Sequence, residues 1–172
     1  DDAAAWEDPS GVRVLTTDTM VDGTHFHLAN TSWRDLGWKA MAVNVSDVAA
    51  MGCAPLYSLV TLGLNGDLPV DGLKEMYRGM LDVCRRYGGE IVGGDVVASP
   101  AFFVAVALHG VGADGYGLLS RGSASPADKI AVTGHVGCSE GGLRMLADGL
   151  SFDRETAVHL REAHNRPSPR VD

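Results

Sequence analysis

AFFVAVALHGVG, residues 101–112, is apolar at both of its alternating positions. A short run so rich in valine and aromatic residues reads as a strand. Side chains alternate across a strand, so one face here must meet helices and the other must meet something else. A second sheet in a symmetric partner would cover that other face. The flanking segments agree with a layered fold. VRVLTTD (12–18) and LYSLVTLGL (56–64) read as strands, the second closed by the turn-like NGDLP. Between them, Thr31 or Ser32 caps a helix running to about Met51, because Leu36, Ala40, Met41 and Val48 recur near helical spacing and Gly52 is a natural stop. A second helix spans 71–87, with Leu73, Met76, Met80, Leu81 and Cys84 on one side and a glycine pair ending it. EIVGGD (90–95) reads as a short strand entering a glycine turn. DKIAVTG (128–134) reads as another strand. SEGGLRMLADGL (139–150) starts a helix after the loop GHVG, and a last helix covers about 153–163, before Pro167. This order predicts an α+β fold with α/β-like alternation. Its mixed sheet is packed by helices on one face, and the other face pairs with a second subunit's sheet.

The chain has 172 residues, 45% hydrophobic and 21% charged, the range of an ordinary globular protein. Fourteen basic and 22 acidic residues leave a net charge of −8 with no basic run. Nucleic acid and anionic membrane are therefore poor partners. An acidic protein that binds an anion generally places divalent metal between its carboxylates and the ligand's phosphates. Cys53, Cys84 and Cys138 are odd in number and form no CxxC pair, which argues for a reducing compartment and against a zinc site. With no secretory leader and no apolar run of about 18 residues, the expected location is cytoplasmic. The chain opens on DDAAAW without an initiator Met and closes on the proline-broken RPSPRVD, so a fragment of a longer chain is expected.

Four acidic stretches stand at element boundaries or among small residues: DDAAA (Asp1, Asp2), TTD (Asp18), NVSDVAAMG (Asp47) and GGD (Asp95). Asp18 and Asp95 end strands, where a carboxylate can project over a sheet edge into a crevice. Such residues also serve as caps and turns. Asp47 lies inside a helix of Ala, Val and Met, where a carboxylate is costly unless hydrogen-bonded, paired or metal-bound. It is either a hidden hydrogen-bonded group or a ligand. The spacing alone is no metal motif, because oxygen-ligand sites assemble from distant segments.

Taken in order, DDAAA, TTDTMVDGTHF, WKAMAVNVSDVAAMGCAPLYSLVTLGL, IVGGD, LSRGSASPADKIAVTG and RPSPRV resemble the thiamine-monophosphate kinase family of the aminoimidazole-ribonucleotide synthetase superfamily. The resemblance implies ATP-dependent phosphorylation of thiamine monophosphate to the diphosphate, by magnesium-assisted direct phosphoryl transfer between bound substrates. The nucleophile is a phosphate oxygen already ionised near neutral pH, so no activating base is required and no catalytic residue is assigned. By the same resemblance Asp2, Thr16, Thr17, Asp18, Asp47 and Asp95 fall on magnesium positions, with Asp1 adjacent. His25 falls on a substrate contact, Gly94 and Asp95 on a turn beside the ATP phosphates, and Arg121 on an ATP contact. Asp22 has no assigned role and reads as a turn residue. The implied partners are ATP, thiamine monophosphate and a second copy in a homodimer. The implied domains are residues 1–134, binding ATP and magnesium and dimerising, and residues 135–172, the truncated start of a second domain, so that the fragment itself has little or no activity.

Two departures touch the nucleotide loops. Val96 and Val97 stand where the family usually has threonines, and RGSASPAD (121–128) stands where it usually reads RSGAKPGD. Two other features have simpler readings. His25 and His27 form an HxH without a further ligand nearby, so zinc is disfavoured. Gly141 and Gly142 suit close helix packing better than a phosphate cradle. The alternatives are another ATP-using member of the superfamily (a selenophosphate, hydrogenase-maturation or aminoimidazole-ribonucleotide enzyme) or a non-catalytic dimerisation or nucleotide-binding module.

Overall fold

The computed structural model describes residues 1–113 and 117–171. Five strands form one sheet: β1 (Ala4–Asp8), β2 (Gly11–Val21), β3 (Cys53–Leu64), β4 (Glu90–Ala98) and β5 (Phe103–Gly112). Helices α1 (Trp33–Ala50) and α2 (Val70–Tyr87) join the strands. Helices α3 (Cys138–Ala147) and α4 (Arg154–Asn165) follow a short 3-10 turn at Arg121–Ser123. The strand order is β1-β2-β5-β3-β4. Only β3 and β4 run parallel, joined through α2, and every other neighbour is antiparallel. This is the expected mixed α+β sheet. Among the described residues no helix is long and apolar enough to cross a membrane.

β5 lies at the centre and behaves as its two-faced pattern requires. Val104, Val106 and Leu108 are buried beneath the helices, in one core with Val14, Met20, Val60, Leu62, Met41, Val45, Met76 and Met80. The opposite face carries Phe103, Ala105, Ala107 and His109, which are only partly covered. Register extends that second face across the sheet, since Leu15 pairs with His109 and His109 with Tyr57, while Thr17 pairs with Ala107 and Ala107 with Leu59. Leu15, Tyr57 and Leu59 are all exposed there, as is Trp6 on β1. Helices thus cover one face only.

The two central helices sit close because each has a glycine at the crossing. A Cβ on Gly37 would lie 1.8 Å from the Met76 carbonyl oxygen, and one on Gly79 would lie 2.0 Å from that of Arg34. Ser32 caps α1 by accepting from the Asp35 N–H, and Gly88, with φ of 90°, ends α2. In the C-terminal pair, a Cβ on Gly142 would lie 2.2 Å from the Leu160 carbonyl oxygen, so Gly141 and Gly142 serve close packing of α3 on α4, as expected. This pair rests on α1. Trp38 Nε1 donates to the Pro167 carbonyl at 2.8 Å, Arg166 bonds Asp35 at 3.0 Å and lies over the Trp38 ring, and Lys39 Nζ meets His164 Nε2 at 3.2 Å.

Three elements differ from expectation. β1 was not anticipated. It is a short, wholly exposed strand made by the hairpin at Pro9 and Ser10, where Asp8 Oδ1 accepts from the Ser10 N–H. β4 does not turn after Asp95 but continues through the β-branched Val96 and Val97 to Ala98. DKIAVTG forms no strand. Ile130 is 96% and Val132 66% exposed, and without a neighbouring strand their backbone groups have no ladder to join.

Candidate functional site

Strand alternation sorts the acidic residues before any side chain is considered. Along β2, Val14, Thr16, Asp18 and Met20 lie on the helix side. α1 crosses above and presents Asp47 toward them. Thr16 Oγ1 donates to Asp47 Oδ2 at 2.9 Å, and it also lies 3.2 Å from the carbonyl of Asp2. Asp2 is held in turn by the Arg121 guanidinium, while the Arg121 backbone N–H donates to Asp1 Oδ1 at 2.9 Å. Burial pushes the Asp47 carboxyl above its ordinary range; the Thr16 hydrogen bond opposes this, and the charges of Asp18 and Asp2 add to it. Asp2 is shifted the other way, chiefly by its hydrogen bond to Arg121. Four segments distant in sequence, 1–2, 16–18, 47 and 121, thus meet in one acidic patch with a single guanidinium beside it.

Two residues of the expected set are elsewhere. Thr17 lies between Thr16 and Asp18 on the strand, so its side chain projects from the opposite, uncovered face. Asp95 also faces that way. Ser58 pairs with Ile91 but Leu59 pairs with Gly93, which leaves Val92 as a bulge. A bulge inserts one residue and reverses the facing of everything after it. Asp95 is therefore brought into line with Thr61, Ala105 and Thr19 on the exposed face. Its carboxylate accepts from the Val96 N–H at 2.8 Å. Gly94 is not in a turn. It stands where β4 approaches β3, and a Cβ there would lie 1.8 Å from the Val60 carbonyl oxygen.

The donors are carboxylates and a hydroxyl, the chemistry that a hard divalent cation takes. Yet among the described residues no three His, Cys, Asp or Glu side chains converge closely enough to hold a metal ion.

Two cavities lie apart from the acidic patch, neither of them lined by Asp2, Thr16, Asp18, Asp47 or Arg121. His25 lines a small one of about 90 Å³, with Phe26, His27 and Asn30 on one side and Leu143, Leu146 and His164 of the C-terminal pair on the other. His25 Nδ1 accepts from the Val21 N–H at 3.2 Å. Asp22 does act as a turn residue, its Oδ1 accepting from the Leu28 N–H. The second cavity is an open groove of about 500 Å³ between α2 and the sheet edge. Leu62, Leu64, Leu73, Tyr77 and Val96 give it an apolar floor, and Lys74 and Arg78 stand at its rim. The sequence places Leu73 and Leu81 on one side of α2 but does not show that a groove opens beside them. The available signal was Val96, an apolar residue on the helix side of an edge strand that α2 leaves 61% exposed.

Comparison with known proteins bears on this arrangement. Residues 1–112 match the family model described as AIR synthase related protein, N-terminal domain. Thiamine-monophosphate kinase of Bacillus subtilis is 37% identical over 99% of this chain and 54% of its own length. That of Aquifex aeolicus is 35% identical over all of this chain and 55% of its own length. The chain thus spans about half the length of the curated relatives it matches. Among solved structures, AaThiL complexed with AMPPCP and TMP superposes with a TM-score of 0.93 at 34% identity, over 100% of this chain and 54% of its own. The hydrogenase maturation protein HypE, at 23% identity and a TM-score of 0.72 over 93% of this chain and 52% of its own, shares the fold.

Proposed function

The chain belongs to the AIR synthase related family through its N-terminal domain, and on that basis we propose that it is the nucleotide-handling half of a thiamine-monophosphate kinase. The reaction passes the γ-phosphoryl of ATP to the phosphate of thiamine monophosphate. The observation that carries this reading is the patch formed by Asp2, Thr16, Asp18 and Asp47 beside Arg121, within a fold shared along its whole length with a kinase solved with an ATP analogue and TMP.

Phosphoryl transfer asks little covalent chemistry of the protein. It must bring two anions together and offset their repulsion. Arg121 is 71% exposed and its planar fork suits phosphate oxygens, so it is proposed as the nucleotide contact. The open groove between α2 and the sheet edge, with Tyr77 and the leucines on its floor and Lys74 and Arg78 at its rim, is proposed as a place for an aromatic ring. His25 and the cavity it shares with α3 are proposed to receive the thiamine moiety. Magnesium is the proposed cofactor on the chemistry of the donors; bound, it would supply the positive charge that this acidic half otherwise lacks.

The division at residue 134 is retained as a proposal, with 135–172 leading into a second domain, and residues 1–172 alone are expected to turn over little. The test is thiamine diphosphate formation by the full-length protein with ATP, magnesium and thiamine monophosphate. Absence of product from a normally folded protein overturns the reading.

A further inference from the structure

A cavity of about 350 Å³ opens between the start of α3, α4 and the segment 166–170, and none of Asp2, Thr16, Asp18, Asp47, Arg121 or His25 lines it. In a chain of net charge −8, its walls carry Arg166, Arg170, His135 and His159, and Glu162 is the one carboxylate among its described lining residues. Neither guanidinium pairs with Glu162. Arg166 is already held by Asp35 at 3.0 Å and lies over the Trp38 ring, whereas Arg170 makes no ion pair among the described residues. A glycine sets the place of Arg170. Gly134 has φ of 73°, and a Cβ built there would lie 2.7 Å from Arg170 Nη2, so the missing side chain leaves room for the guanidinium. The His135 and His159 rings stand edge to face, their centroids 6.3 Å apart. α3 begins at the same cavity with no side-chain cap, and its first N–H groups add donors to those of the side chains.

We propose that this cavity binds a phosphate group, held by Arg170 with His135 and His159 beside it. The site is separate from the acidic patch and stands whether or not the chain transfers phosphate between substrates. Three kinds of side-chain donor line the one space: a planar guanidinium fork, two imidazole rings and the Ser139 hydroxyl. A tetrahedral anion with three or more free oxygens can accept from all of them, whereas a carboxylate offers two oxygens in a single plane. The volume lies within the range of small-molecule sites, so the phosphate fits as the free ion or as the head of a small ester. Glu162 works against a bound anion, and removing its charge should strengthen binding.

Titration of the full-length protein at constant ionic strength tests this, with inorganic phosphate in one series and glycerol phosphate in another, read by nuclear magnetic resonance of the histidine rings. The His135 and His159 signals should move saturably, while those of His109, on the uncovered face of the sheet, stay in place. Arg170→Gln should weaken both responses about tenfold or more, the usual cost of losing a charged hydrogen-bond donor. Glu162→Gln should strengthen them. Arg121→Gln, which removes the proposed nucleotide contact, should leave them as in wild type. Tighter binding of glycerol phosphate marks an ester as the occupant, and tighter binding of the inorganic ion marks free phosphate. No saturable movement in the wild-type protein overturns the proposal, as does equal affinity in wild type and Arg170→Gln. Loss of the response in Arg121→Gln assigns the phosphate to the acidic patch and overturns it too. Should Arg170→Gln fail to fold, His159→Gln, at an exposed position of α4, takes its place with the same expected weakening, read at His135.

Discussion

Asp47 shows how one side chain can oppose the fold and serve the site. Its carboxyl is raised above the ordinary value near 3.8 mainly by burial, with Asp18 and Asp2 adding to the effect against the Thr16 hydrogen bond. A carboxylic acid whose folded value exceeds its unfolded value favours folding when protonated. That contribution is fully present below the unfolded value and is lost as pH rises through the folded one. At neutral pH the ionised group therefore weighs against the native state. Asp47→Asn keeps an oxygen for the Thr16 hydroxyl and removes the charge. Its melting temperature should rise relative to wild type as pH increases from about 3.5, then hold a constant difference, by calorimetry across a pH series without metal. The same variant should lose about tenfold or more in Mg²⁺-dependent nucleotide binding, by analogy with the loss of a metal-site partner. Equal Mg²⁺ dependence in both proteins would make Asp47 structural only.

At the scale of elements, the α1–α2 crossing depends on backbone approach. Gly37→Ala or Gly79→Ala pushes a methyl into a carbonyl of the facing helix, which must move. Each should cost about 1–3 kcal/mol in urea unfolding, the usual penalty for overpacking. Gly66→Ala, with nothing within 4 Å of the added carbon, should cost far less. Both helices were legible in the sequence because their apolar spacing and caps agree: Ser32 opens α1 and Gly88 closes α2. β5 was legible for a similar reason, its unbroken apolar run having room only at the centre of a sheet. The crossing glycines were not, since a glycine inside a helical pattern does not name the partner that requires it. β1 is held by its hairpin partner rather than by its own exposed residues, and the only local cue was the turn at Pro9 and Ser10. The facing of Asp95 depends on a bulge at Val92, a pairing event between two strands that a single strand's pattern cannot show. The two-residue period of a strand separates Thr17's side chain from those of Thr16 and Asp18.

At the scale of the whole molecule, α1 carries Asp47 toward the sheet and holds the C-terminal helices against its flank. The Lys39–His164 contact at that joint has a definite proton arrangement. An ammonium can only donate, so His164 Nε2 must accept, and the ring proton sits on Nδ1, which donates to the Ser139 carbonyl at 3.1 Å. Burial lowers the affinity of His164 for a second proton, and the Lys39 charge lowers it further, against the Ser139 carbonyl and Glu140. A base whose folded value lies below its unfolded one loses stability as pH falls, because the unfolded chain binds the proton more readily. The loss begins near the ordinary histidine value of about 6.5 and continues down to the folded value. Protonation would also set two donors against each other across the joint. Exchange of α4 amide hydrogens, corrected for its intrinsic pH dependence, should therefore be faster at pH 5.5 than at pH 7.5, while α2 exchange changes little over this range. His164→Gln, whose side-chain oxygen can accept from Lys39 without titrating, should remove most of that pH dependence. Equal pH dependence of α4 exchange in wild type and variant would show that the joint is held by the Trp38–Pro167 and Asp35–Arg166 contacts alone.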